Sequence, residues 1–338
     1  MTYSFMELDE SHGLQLLQLS NESSTGSNLF YVDRSPNFFK LSEEFGKTRH
    51  FGLFKGSALI GCVAVSQQKR VIEGACKHVY YLNDLRIHPD FHRTFAYFRL
   101  TQQLVSLYQN EGAVKWLYST VLDTNSNKAS MIKGNGLLPS GIELGRTFHI
   151  GVPMFFKYRN NHLDVFEIEG EEAWQIYKSF ATSKDFALYD KKIFLKDNGV
   201  FLVIRDQKDD LAICKLVNQS DARKLRLSRR LPFLFKIVNL ICRAVGCPPL
   251  PDKREEFQHG YLAFFTARET PKRYRQKYIS YIQKTYKHRF TYLFFGVSSE
   301  EVEQYRCNPF YIKHSSTTFA YGDIPANLSM DFHEITLI

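Results

Sequence analysis

The sequence lacks the short motifs that mark most nucleophilic, nucleotide and zinc chemistry. It contains no GxSxG, no GxxxxGK[ST] and no HExxH, so a nucleophile elbow, a P-loop and a zincin helix are excluded. Its six cysteines, Cys62, Cys76, Cys214, Cys242, Cys247 and Cys307, form no CxxC pair and do not cluster with histidines. Scattered thiols of this kind read as reduced, buried residues of a cytoplasmic protein. His88 and His92 are separated by Pro89 and do not share a helical turn, so no metal is expected. The stretch Met1 to Glu7 has neither a basic start nor an apolar core, and no signal peptide is expected. The most apolar run, Leu231 to Cys247, is interrupted by Lys236 and Arg243 and falls short of the roughly 20 residues of a transmembrane helix. Nor is there a run of five basic residues, which argues against a dedicated nucleic-acid arm.

What is present is core material. The chain has 338 residues, 44% of them hydrophobic, with 29 Phe and 19 Tyr. That suits about two globular domains. A net charge of +9 favours anionic ligands without choosing among them.

The first half alternates strand-like and helix-like stretches. Thr2 to Glu7 reads as a strand, and Ser11 to Leu19 and Ser35 to Phe45 as helices, the latter with Ser35-Pro36 at its N-cap and first position. Gly52 to Val65 reads as a hairpin about Lys55-Gly56-Ser57, and Val79 to Ile87 as a strand stopped by Pro89. From Thr94 to Asn110 the period becomes helical, with Leu100, Leu104 and Leu107 on one face and Gly112 as a C-terminal cap. Trp116 to Val121 follows as a strand, then a short helix from Asn125 to Lys133.

The second half repeats this order. Leu262 stands for Leu82 and Tyr292-Leu293-Phe294 for Trp116-Leu117-Tyr118, at offsets of 180 and 176 residues. We therefore expect two tandem α/β units, 1–157 and 158–338. An inserted segment, 222–251, has no counterpart in the first half. Its arginines, followed by Leu234, Ile237, Val238 and Ile241 at helical spacing, describe a basic amphipathic helix. Such a helix lies either on an anionic membrane or against its own domain or a partner chain. The basic, tyrosine-rich helix 270–287 likewise reads as a nucleic-acid platform or as a core stripe with a solvated cationic face.

The most informative block is Leu85-Arg86-Ile87-His88-Pro89-Asp90-Phe91-His92-Arg93-Thr94-Phe95-Ala96-Tyr97. A strand runs through a loop into a long helix, which turns amide N–H groups and the positive end of a helix dipole toward one spot. That is a site for a pyrophosphate. Here the sequence resembles the GNAT superfamily of acetyl-CoA-dependent N-acyltransferases. Ile87-His88-Pro89 matches the end of that family's central strand, and His92 falls at its Arg/Gln position. Asn125 to Ala129 resembles its N-x-x-A segment, and Gly136-Leu137 stands for its Gly-Phe. Phe95 and Tyr97 replace the two loop glycines, and Ile132 stands near the family's tyrosine acid.

The resemblance implies two GNAT-like units, each a mixed, mostly antiparallel sheet flanked by helices. It further implies acetyl-CoA as acyl donor, an amine-bearing acceptor that attacks the thioester directly, and no expected nucleic-acid partner. Leu85, Arg86, Ile87, His92, Arg93, Thr94, Phe95, Ala96, Tyr97 and Asn125 are the implied coenzyme contacts, and Asp84 is the nearest candidate base. Asp84 also has a plainer reading, as an acid paired to Arg86 or Lys77. A GNAT-like protein that binds without transferring is the alternative, motivated by the missing glycines and tyrosine. The second unit is expected to be degenerate and to bind no coenzyme.

Overall fold

The computed structural model describes residues 3–23, 30–92, 94–110, 116–125, 141–156, 165–207, 209–228, 234–268, 271–305, 310–322 and 330–336, with 308, 325 and 328. Arg93, the expected helix 125–133 beyond Asn125, Gly136-Leu137, Cys307 and most of the expected unit boundary lie outside them.

Fourteen strands are described. They are β1 (Tyr3–Leu8), β2 (Phe30–Asp33), β3 (Lys47–Lys55), β4 (Ala58–Ile72), β5 (Ala75–Ile87), β6 (Trp116–Leu122), β7 (Ile142–Pro153), β8 (Val165–Ile168), β9 (Gly199–Asp206), β10 (Asp209–Val217), β11 (Lys224–Leu227), β12 (His259–Ala267), β13 (Tyr292–Val297) and β14 (Ile312–Gly322). The longer helices are α1 (Gly13–Glu22), α2 (Ala96–Asn110), α3 (Gly170–Ala181), α4 (Leu234–Val245) and α5 (Pro271–Tyr286).

Twelve strands form one mixed sheet in the order β1-β3-β4-β5-β6-β14-β7-β13-β12-β10-β9-β8. Read inward from either edge, the two halves have the same plan. Four strands pair antiparallel, the fourth pairs parallel with a fifth, and a sixth closes the half. The closing strands are exchanged: β14 lies on β6, and β7 lies on β13. Neither closing strand is anticipated by the hydrophobic pattern. The parallel pair Tyr81–Tyr118 recurs as Tyr261–Phe294, which matches the offsets of 180 and 176.

Further ties cross between the halves. β2 pairs with β11, so the inserted segment, which has no counterpart in the first half, is nonetheless paired to it. Residues 186–189 bond to the backbone of Lys69 and Val71 at the end of β4. One hydrophobic core runs from Phe45, Tyr81 and Tyr118 to Tyr177, Phe264 and Phe295.

Local chemistry explains the elements that position the site. Gly56 at φ +62° turns β3 into β4, and Glu73-Gly74, both at positive φ, turn β4 into β5, as tight hairpins require. Ala96, Leu100 and Leu104 bury one face of α2 against Phe51, Ile60 and Val65. In α5, Tyr274, Tyr278 and Ile282 are buried, and the Tyr278 hydroxyl donates to Leu202 O and Ala212 O. The tyrosine stripe is thus core, not a stacking surface. Its basic face is only partly solvated, since Arg275 and Lys277 are buried as well.

The expected helix from Ser35 shrinks to Lys40–Glu43. The amides of Ser35 and Phe39 donate instead to the side chains of Asp33 and Asn37, and such local bonds compete with a helical start. Of the described cysteines all are free thiols; Cys62, Cys214, Cys242 and Cys247 are buried, while Cys76 is exposed. No described helix is long and apolar enough to cross a membrane.

Candidate active site

Two crevices interrupt the sheet at equivalent places. β5 pairs with β6 only over Tyr80–Leu82, and β12 with β13 only over His259–Tyr261. Beyond those residues the parallel strands diverge. At the divergence each inner strand carries a non-glycine residue in the left-handed region, Asp84 at φ +50° and Phe264 at φ +51°. The register to the next strand slips there, between Cys62 and Ala64 and between Ile213 and Lys215. This is the mark of a β-bulge, which re-aims backbone groups.

In the first crevice the bulge residue is ionic. Both Asp84 carboxylate oxygens accept from the Arg34 Nη1 at 3.0 Å, and the Arg86 Nη2 stands 3.6 Å away. The Arg34 and Asp84 side chains are only 2% and 9% exposed. Burial works to raise the Asp84 carboxyl, but Arg34 and then Arg86 outweigh it and hold it below the usual carboxylate range. A carboxylate so stabilised is a weak base. Arg34 itself comes from the turn after β2 and lies over the Phe38 ring, 4.5 Å from its centroid. Burial also pushes the neighbouring His50 down to about 4 and the Cys62 thiol, which donates to Asp84 O, up to about 12.

The loop into α2 is largely self-satisfied. The amides of Phe91, His92 and Thr94 donate to His88 O, Pro89 O and Phe91 O, and that of Ala96 donates to Thr94 Oγ1. The His92 ring folds back so that Nε2 lies 2.8 Å from Ile87 O. Arg99 turns to the outer face and stacks on Tyr3. The amides of Tyr97 and Phe98 stand at the helix start, where no helical carbonyl precedes them. Phe95 is 77% exposed and does not fill the crevice. Tyr97 is half-buried, and burial beside Tyr321 raises its phenol. Leu85 packs into the core below α2, where Ala96 is fully buried, and the Asn125 amide donates to Leu122 O where β6 ends.

Leu85 to His92 and Thr94 to Tyr97 follow one another through the end of β5, the turn and the start of α2, while Arg93 lies outside the described residues and Arg99 faces away. Arg34 was not among the candidates, for it lies 50 residues upstream and no pattern in Val32-Asp33-Arg34-Ser35 announces burial.

The second crevice is occupied by the chain itself. The amide of the bulge residue Phe264 donates to the Glu334 carboxylate. Ile335 N, Thr336 N and Thr336 Oγ1 converge on the same carboxylate, whose pKa burial raises even so. Arg223 donates to Ile335 O and Gln219 to Thr336 O. A cavity of about 830 Å³ remains beside this tail, lined among others by Lys184, Lys272, Arg275, Ser298, Glu301 and His333. His333 O lies against Gly296 of β13, so close that a Cβ there would sit 2.0 Å from it. Gly296→Ala is therefore expected to lift the tail and to destabilise by about 1–3 kcal/mol. Gly13→Ala, with nothing nearer than 3.9 Å, is expected to be neutral or better. Thermal melts of the two variants check this, and equal melting temperatures would remove the tail from the crevice.

No family model and no curated protein matches the sequence. Solved structures do match. N-myristoyltransferase of Saccharomyces cerevisiae, solved with bound myristoyl-CoA, superposes with a TM-score of 0.60 at 8% identity, over 98% of this chain and 89% of that one. A probable N-acyltransferase from Enterococcus faecalis gives 0.53 at 8% identity, over 94% and 72%. A GCN5-related N-acetyltransferase from Anabaena variabilis gives 0.52 at 10% identity, over the same shares. At such low identity the likeness is one of architecture, and with the paired crevices it establishes that this chain has the GNAT fold in a two-unit arrangement.

Proposed function

We propose that the protein transfers an acyl group from a coenzyme A thioester to an amine-bearing acceptor, with the donor in the first crevice. The observation that carries this reading is the asymmetry of the two crevices. Both have the diverging strands and the left-handed bulge, and the second is filled by Glu334 and its neighbours. In the first, backbone N–H groups along the edge of β5 beyond Leu82 would polarise the thioester carbonyl as the amine attacks. The amine nitrogen bonds to the carbonyl carbon, the carbon–sulfur bond breaks, the thiolate leaves, and a base or water chain removes the amine proton. The start of α2 would meet the diphosphate, and Arg93, a cation three residues before that helix in the sequence, would strengthen the attraction.

Acetyl-CoA is the donor implied by the sequence resemblance, whereas the yeast neighbour holds myristoyl-CoA. Calorimetric titration with both thioesters tests the reading and separates the donors. Saturable heat is expected with at least one, weakened about tenfold or more in Arg93→Glu. No heat with either at millimolar concentration would sink it. A binding protein without transfer is the second reading, favoured by the two arginines that commit Asp84 and by the turned-back His92. It requires thioester binding with no release of free coenzyme A over a broad panel of amines.

A further inference from the structure

Among the described residues, helix α4 is held to the fold on one side. Val238 and Cys242 are buried in the main core, and Val245 packs on it. Asn239 fixes the roll of the helix: its Nδ2 donates to Leu250 O at 3.1 Å, and its Oδ1 accepts from Leu250 N at 2.7 Å. The opposite face is thereby turned outward. It carries Ile237, Leu240 and Ile241, exposed to 52%, 70% and 38%, with Ala244 completing the i, i+3, i+4, i+7 stripe. A row of large aliphatic side chains in water marks a contact surface.

The charge within the segment has one sign, with Asp221 before it and Asp252, Glu255 and Glu256 after it. Residues 222–251 contain seven Lys and Arg and no Asp or Glu. Arg223 and Arg226 are engaged internally, on Ile335 O and Asp33. Arg243 remains exposed on the helix, and the Lys287 side chain reaches Gly246 at its C-terminal end. We infer that α4 seats the protein on an anionic lipid surface, with Ile237, Leu240 and Ile241 entering the headgroup boundary. A stable protein interface needs about 800 Å² from each side, more than one helical stripe offers. An apolar stripe on a helix whose own charged residues, Lys236 and Arg243, are both cationic is complementary to anionic headgroups over a short acyl layer.

The test is sedimentation of the full chain with vesicles. Binding is expected with mixed phosphatidylserine–phosphatidylcholine vesicles, much less with phosphatidylcholine alone, and a decline as salt is raised. The triple variant Ile237→Ser, Leu240→Ser, Ile241→Ser is expected to lose about tenfold or more in partitioning. Its melting temperature should be unchanged, because the three side chains face solvent. Arg243→Glu should weaken binding as well. Failure of the wild type to sediment with anionic vesicles overturns the inference, and so does a triple variant that binds as well as the wild type. Self-association that the triple variant abolishes, without vesicle binding, assigns the stripe to a second protein and likewise overturns it.

Discussion

Arg34→Met is expected to destabilise the protein by about 3–5 kcal/mol, the usual effect of removing one partner of a buried ion pair. Asp84 would keep only Arg86, at 3.6 Å, and would lose both 3.0 Å bonds. The loss would also reach the loop after β2, because Arg34 donates to Phe38 O and stacks on its ring. The double variant Arg34→Met, Asp84→Leu should recover a good part of the loss, since no unpaired carboxylate stays buried. Chemical denaturation of the two single variants and the double variant gives the coupling energy directly. If Arg34→Met loses less than about 1 kcal/mol, the size of an exposed pair, the cluster does not hold the bulge. Asp84→Asn separates the two readings of this acid. As a base, Asp84 would take with it a pH limb of the rate. As an anchor for Arg34 it changes stability and thioester affinity and leaves the shape of the pH profile alone.

Acid should unfold this protein unusually early. Burial lowers His50, His259 and His333 to about 4 and His149 to about 3. Asp84 partly offsets this at His50, a bond with Phe257 O at His259, and Glu301 at His333; His314 adds to it at His149. In the unfolded chain each imidazole takes its proton near 6.5. Between that pH and about 4 the unfolded state binds more protons, so stability falls as pH falls through the window. Each group is worth about 3–5 kcal/mol when fully displaced, which is large against the 5–15 kcal/mol that holds a typical domain. Glu334, whose carboxyl burial raises, acts in the opposite sense above its ordinary value and trims the total. Denaturant midpoints followed from neutral pH downward should drop steeply below about 6.5. In His149→Gln the slope should lessen by one proton, Gln being able to keep a bond to Ser316 Oγ, now 2.8 Å from Nε2. A flat profile down to about pH 5 would mean that these rings are not buried neutral.

Much of the first unit was legible because its signals are local. The glycine of the β3–β4 turn, the leucine stripe of α2 and the aromatic strands fix their own elements, and aromatic landmarks at matching offsets exposed the repeat. β7 and β14 were not legible. β14 centres on Ser315-Ser316-Thr317-Thr318, which reads as polar surface, yet Ser316 and Thr317 are fully buried. Their hydroxyls meet tertiary partners: Ser316 meets His149, Thr317 donates to Asp123, and Thr318 meets Thr120. Hydropathy cannot register a bond made about 170 to 200 residues away. The same limit hid Arg34, and it hid Glu334, one of three acids after β14. The loop from Leu85 to Tyr97 was found by its order of elements, but which amides its own turn consumes depends on side-chain rotamers such as those of Thr94 and His92.

The exchanged strands set an order of events during synthesis. When the ribosome has made everything through β6, the first half still presents an open edge, for the strand that covers it is β14, some 190 residues later in the chain. An uncovered edge is an invitation to intermolecular pairing, and contacts of such long range close slowly. A nascent copy of this protein therefore cannot cover that edge with its own β14 until Ile312–Gly322 has emerged, and the seam between the halves closes no earlier than that.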